Sequence, residues 1–117
     1  MLPCLAVPAV LPALLKLLGT PRDGALLRYS IGAEYLKAGE AAAAIPHLRE
    51  AVAREPNYSA AWKLLGRALT EAGDRAAALE AYERGIAVAD ARGDRQAAKE
   101  MRVFAQRLRK GSGSARD

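Results

Sequence analysis

The stretch Ser59–Arg92, SAAWKLLGRALTEAGDRAAALEAYERGIAVADAR, decides the fold. Within Ala61 to Glu71 and on to Ala72, the apolar residues Ala61, Leu64, Leu65, Ala68, Leu69 and Ala72 recur at i, i+3, i+4 and i+7, while Lys63, Arg67 and Glu71 take other angles. That spacing predicts an amphipathic helix. Gly73 can adopt the left-handed conformation that ends it, and Asp74 can accept from the free amides of the next helix. A second helix is expected from Arg75 to about Ala91, with Ala78, Leu79, Tyr82, Ile86 and Ala89 on one face. Gly66 and Ala78 are small where two antiparallel helices joined by so short a turn must approach closely. Trp62 and Tyr82 provide the large apolar area between neighbouring helices.

Slid back by 34 residues, the pattern returns: Gly66 falls on Gly32, Gly73 on Gly39 and Ala78 on Ala44. A fixed period of this length, carried by Trp62, Leu65, Gly66, Ala78, Tyr82 and Gly85, resembles a tetratricopeptide repeat. The resemblance implies an all-α fold: a short right-handed solenoid of two helix-turn-helix repeats, built for protein recognition. It covers about Ala25 to Arg92. The expected division is residues 1–24 as an apolar leading segment, 25–58 and 59–92 as repeats, 93–110 as a capping helix and 111–117 as a disordered tail.

The first repeat departs from the pattern at Arg28. Arg28 stands where the second repeat has Trp62, so that position should be partly covered by the leading helix or left wet, since a guanidinium is seldom buried unpaired. Its first helix carries Leu27, Ile31, Gly32, Tyr35 and Leu36 and ends at Gly39-Glu40, the expected stop and cap. Its second helix, from about Ala41 to Arg54, presents Ala44, Ile45, Leu48, Ala51 and Val52. Pro46 lies inside it beyond the first turn and should bend it. Glu55-Pro56-Asn57 closes the repeat.

At the front, Met1 to Gly19 is apolar, but it lacks a basic start, Pro3, Pro8 and Pro12 interrupt it, and Lys16 sits within it. A secretion signal or a lipid anchor at Cys4 is therefore set below a short helix from about Ala9 to Leu18, with Leu11, Leu14, Leu15 and Leu18 on one face. The turn Gly19–Gly24 follows. At the back, Gly93-Asp94 repeats the turn chemistry. The helix expected from Arg95 to about Lys110 has Gln96, Lys99 and Glu100 where a third repeat would need Trp, Leu and Gly. Its apolar face is Ala97, Met101, Phe104, Ala105 and Leu108, which suits a terminal cap with one wet side.

Composition bounds the function. The 117 residues contain one cysteine and one histidine, and half of them are hydrophobic. One cysteine excludes an internal disulfide framework. No apolar run of about 18 residues supports a spanning helix, and the expected compartment is the cytoplasm. His47 has no metal-ligand spacing and is expected on the surface; Cys4 has no activating neighbour; no glycine-rich phosphate loop occurs. No catalytic residue, cofactor or metal is expected.

Ala25–Ala91 carries a net charge of −1 and Arg92–Asp117 one of +5. The basic end, with Arg95, Lys99, Arg102, Arg107, Arg109 and Lys110, invites nucleic acid, but it lacks interleaved aromatics and a groove-reading motif. A solvated cap or an acidic protein partner fits it better. What the resemblance implies is a peptide or protein partner on the concave side, lined by the first helix of each repeat. By register those residues are Leu26, Tyr29, Ala33 and Leu36, with Leu26 and Leu36 alternatively core, then Lys63, Arg67 and Thr70. Arg67 can pair with a carboxylate. The chaperone-binding members of the family use a lysine and asparagines where this chain has Tyr29, Ala33 and Leu64, so a chaperone-tail clamp is not expected. Self-association through exposed repeat ends is the second reading.

Overall fold

The computed structural model describes residues 10–114, and side chains as far as residue 111. Cys4 and the proposed start of the leading helix at Ala9 lie outside the described residues. Six helices follow one another: α1 Val10–Leu15, α2 Ala25–Lys37, α3 Ala41–Arg54, α4 Ser59–Glu71, α5 Arg75–Arg92 and α6 Arg95–Ser114. Each packs on the next from α1 to α6, and α4 bridges back to α2 as α6 does to α4. The all-α solenoid expected from the period is thus the observed architecture, with α6 standing to α5 and α4 as α4 stands to α3 and α2.

The turns follow from the glycines. Gly39, Gly73 and Gly93 all have positive φ, between 77° and 89°, a conformation that costs a Cβ-bearing residue energy and ends each helix abruptly. Asp74 and Asp94 then cap the following helices, each accepting from the amide three residues on, Ala77 and Ala97, at 3.2 Å. Glu40 makes no such bond. The expectation of a side-chain cap there fails because a glutamate carries its carboxylate one methylene beyond the reach that suits an N-cap.

The interior repeats with the same period. A Cβ on Gly32 would lie 2.5 Å from Cγ of Leu48, and one on Gly66 would lie 2.5 Å from Cε1 of Tyr82; Leu48 and Tyr82 are themselves 34 residues apart. The hairpins close at these points because glycine leaves room for the partner's side chain. One buried cluster runs from Leu36, Ala44 and Leu48 through Trp62, Leu65 and Leu69 to Ala78. A second, made by Tyr82, Ala89, Ala98, Met101 and Ala105, holds α6 against α5.

Several boundaries differ from expectation. α1 stops at Leu15, and turns carry the chain on to Gly24; Leu11, Leu14, Leu15 and Leu18 are half-buried, so its packing on α2 is shallow. α6 continues four residues past the expected end at Lys110, to Ser114. α3 keeps its expected bounds, Ala41–Arg54, with Pro46 inside it and facing solvent. Proline has no amide hydrogen, so the Ala42 carbonyl loses its helical donor on the side where water replaces it. On α6 the positions equivalent to Trp62, Leu65 and Leu69 are Gln96, Lys99 and Val103, all exposed. A further outer helix would find only Val103 as an apolar seat there.

Candidate functional site

Arg28, which stands where the second repeat has Trp62, is resolved by ion pairing. Its guanidinium donates to both carboxylate oxygens of Asp23 at 2.9 and 3.1 Å. Arg54 reaches the same carboxylate at 3.1 Å and pairs with Glu50 at 2.7 Å. The Arg28 guanidinium and the Gly19 amide hold the Asp23 carboxyl well below the usual carboxylate range. His47 is not the free surface side chain expected. Its ring stacks on Tyr35, its Nδ1 is buried without a partner, and burial, reinforced by Arg28, lowers its pKa. This region fastens the turn before α2 to the end of α3.

The concave residues divide into two groups. In the first repeat Leu26 is 68% exposed, Tyr29 and Ala33 are half-buried, and Tyr29 packs against Tyr58 with ring centroids 5.0 Å apart. Leu36 is not on this surface: at 5% exposure it belongs to the core beside Leu48. Its helical angle lies about 40° from that of Gly32, against which Leu48 of α3 packs, so burial takes it.

In the second repeat Lys63, Arg67 and Thr70 do come together. With Leu64 and Glu71 of α4, Tyr82 of α5, and Glu100 and Phe104 of α6 they line a groove of about 510 Å³. The floor is Leu64, Tyr82 and Phe104, the two rings lying 5.6 Å apart. Two ion pairs mark the rim: Lys63 to Glu100 across the groove at 2.6 Å, and Arg67 to Glu71 along α4 at 3.0 Å. Lys63 and then Gln96 lower the Glu100 pKa, and burial raises that of Tyr82. The Thr70 hydroxyl donates to the Gly66 carbonyl at 2.8 Å. A smaller recess continues past Thr70 and Phe104 to Arg75, Arg107 and Leu108.

Leu26, Tyr29 and Ala33 line neither recess. Leu64, Glu71, Tyr82, Glu100 and Phe104 are the groove residues that the register does not predict; the last two lie on α6, which the sequence marks only as a cap. The signal was present: Glu100 and Phe104 both lie 37 residues after predicted groove residues, Lys63 and Arg67, which places α6 as the opposite wall.

The groove sets an apolar floor beneath a charged rim. Among the described residues no group of three His, Cys, Asp or Glu side chains is placed to hold a metal ion, and no helix is long and apolar enough to cross a membrane.

Comparison with known proteins bears on the fold. A tetratricopeptide repeat family model matches residues 35–101. The TPR repeat-containing protein PA0015 of Pseudomonas aeruginosa is 50% identical over 93 residues, which span 80% of this chain and 89% of that protein. The solution structure of protein BPP2914 from Bordetella parapertussis superimposes with a TM-score of 0.76 at 43% identity, covering 89% of this chain and 90% of that one. The crystal structure of a tetratricopeptide repeat domain protein from Salinibacter ruber shares the fold, with a TM-score of 0.70 at 24% identity over 75% of this chain and 98% of that chain.

Proposed function

The chain belongs to the tetratricopeptide repeat family, and we propose that it is a protein–protein interaction module whose groove between α4 and α6 holds a segment of a partner protein. The observation that supports this reading is the composition of the groove. Leu64, Tyr82 and Phe104 form an apolar floor beneath a rim that includes Lys63, Arg67 and Glu100. A partner residue seated on two rings and a leucine would bury apolar surface, and a carboxylate beside it would find Arg67, which is exposed and tied only to Glu71 on its own helix. The segment is therefore one that carries a large apolar side chain next to an acidic one. Tyr29 and Leu26 stand outside this contact.

The test is selection from a displayed peptide library, followed by fluorescence anisotropy on a selected peptide. Arg67→Glu should weaken binding by about tenfold or more, since it sets like charges against each other at the rim. Tyr29→Ala should leave affinity unchanged. Selected peptides without an acidic residue, or an Arg67→Glu variant that binds as well as the parent chain, would remove this reading.

A further inference from the structure

The face opposite the groove carries a second cleft, of about 410 Å³, between α3 and α5. The two helices have no close backbone approach to one another, and α4 lies between and beneath them. Three helical stripes build it. The α3 wall is Arg49, Val52, Ala53 and, just past the helix end, Pro56; the α5 wall is Ala77, Glu80, Ala81 and Arg84. The α5 wall follows i, i+3, i+4, i+7 and is one straight helical flank about two turns, or roughly 10 Å, long; the α3 wall is helical from Arg49 to Ala53 and is completed by Pro56 beyond the helix end. The floor is Trp62, Leu65 and Leu69 of α4.

Small residues leave the trough open. Ala53 faces Ala77 and Ala81 across it, where longer side chains would have closed the space. The charges have a defined placement. The Arg84 guanidinium lies over the Trp62 ring, 5.3 Å from its centroid, and Trp62 donates its indole N–H to the Pro56 carbonyl at 2.8 Å. These residues mark one end. α3 and α4 form an antiparallel hairpin through Pro56, so Arg49, seven residues before Pro56, marks the other. Among the described residues neither Arg49 nor Arg84 has a carboxylate partner, whereas Arg28, Arg54, Arg67, Arg102 and Arg109 all do. Glu80, one turn from Arg84, holds the net charge of the trough at +1, which suits separated carboxylates better than a run of phosphates.

We propose that this trough docks an acidic amphipathic helix from a partner protein, with apolar side chains against Ala53, Pro56 and Ala77 beside the Arg84-covered Trp62 and a carboxylate at each end, seven residues apart, reaching Arg49 and Arg84. The length of the walls matches two turns of such a helix, and the two arginines offer a charge-assisted partner at each end. This surface is independent of the groove between α4 and α6.

The probe is a helical, tryptophan-free peptide with Glu at positions i and i+7 and Leu at i+3 and i+4. Trp62 is the sole tryptophan of the chain, so its emission reports binding directly, and anisotropy of a labelled peptide gives the affinity. A saturable change in Trp62 emission is expected. The double variant Arg49→Glu, Arg84→Glu should bind about tenfold more weakly or worse, and a peptide with Lys in place of both Glu residues should regain affinity for that variant alone. Ala53→Glu, at an exposed position that leaves Arg84 over the indole, should weaken binding as well; circular dichroism verifies that each variant is folded. Arg67→Glu should leave the Trp62 emission response unchanged. The proposal is overturned by absence of a saturable Trp62 response, by an unchanged response in the double variant, or by loss of the Trp62 response on Arg67→Glu, which would tie the signal to the opposite face.

Discussion

The two repeats close the same hairpin with different chemistry at one equivalent position, and the difference shows what the period does and does not impose. In the second repeat Trp62 is 9% exposed, sits on the Pro56 carbonyl and carries Arg84 on its face. In the first, Arg28 occupies that place and is held by Asp23, with Arg54 and Glu50 completing the cluster. One repeat is fastened by apolar area and the other by charge. Backbone geometry is shared because the glycines and the side chains they accommodate, Gly32 with Leu48 and Gly66 with Tyr82, are shared; what lies between the hairpins is free to differ.

The largest effect should come from removing the indole. Trp62→Ala takes away a side chain at the boundary of α3, α4 and α5 and should cost about 3–5 kcal/mol in chemical denaturation. Arg28→Ala removes partly exposed charge from a cluster in which Arg54 still holds Asp23, and should cost clearly less. Equal losses would mean that the two positions bear equal weight despite their chemistry.

Next come the glycines. Gly66→Ala presses a Cβ against the Tyr82 ring, which is buried and rigid, and should destabilise by about 1–3 kcal/mol, against a helix-propensity gain of up to about 1 kcal/mol. Gly32→Ala meets Leu48, whose smaller side chain has other rotamers, and the loss should be smaller. Reversal of that order would place the tighter packing in the first repeat.

The caps differ in the same direction. Asp74→Ala should cost about 1 kcal/mol by removing the bond to the Ala77 amide, while Glu40→Ala should be near silent, because no cap bond is lost. Thermal unfolding of the two variants side by side is sufficient to rank them.

Much of this was legible in sequence. Gly39, Gly73 and Gly93 announce turns that need positive φ, and Gly66 with Ala78 announces close helix approach, because only those residue types satisfy the backbone there. The groove was legible only on one wall. Lys63, Arg67 and Thr70 project from α4 at angles the register predicts, but the opposite wall belongs to α6, whose departure from the repeat drew attention to what it lacks rather than to where Glu100 and Phe104 stand. Leu36 went wrong for a related reason: on a helix packed along one broad stripe, residues near the edge of the stripe are assigned to core or groove by the neighbouring helix, here α3, and not by their own spacing.

The smallest effect separates the charge-fastened repeat from the other by pH. The structure places His47 on α3 against Tyr35, with Nδ1 buried and unpartnered, and its pKa is depressed from the ordinary 6.5, first by burial and then by Arg28. The unfolded chain therefore binds a proton that the folded chain resists, so stability falls as pH drops through about 6.5 and is fully present above it. Asp23 acts in a separate window. Its depressed carboxyl stays ionised in the folded protein, so its contribution is present above its ordinary value of 3.8 and is lost only as pH falls below that. Between pH 7 and 5 the slope should then come chiefly from His47, and His47→Phe, which keeps a ring against Tyr35 but cannot titrate, should flatten it. An unchanged slope in that variant would show that the ring is free to turn its buried nitrogen to water, and that the first repeat is looser around Arg28 than its ion pairs imply.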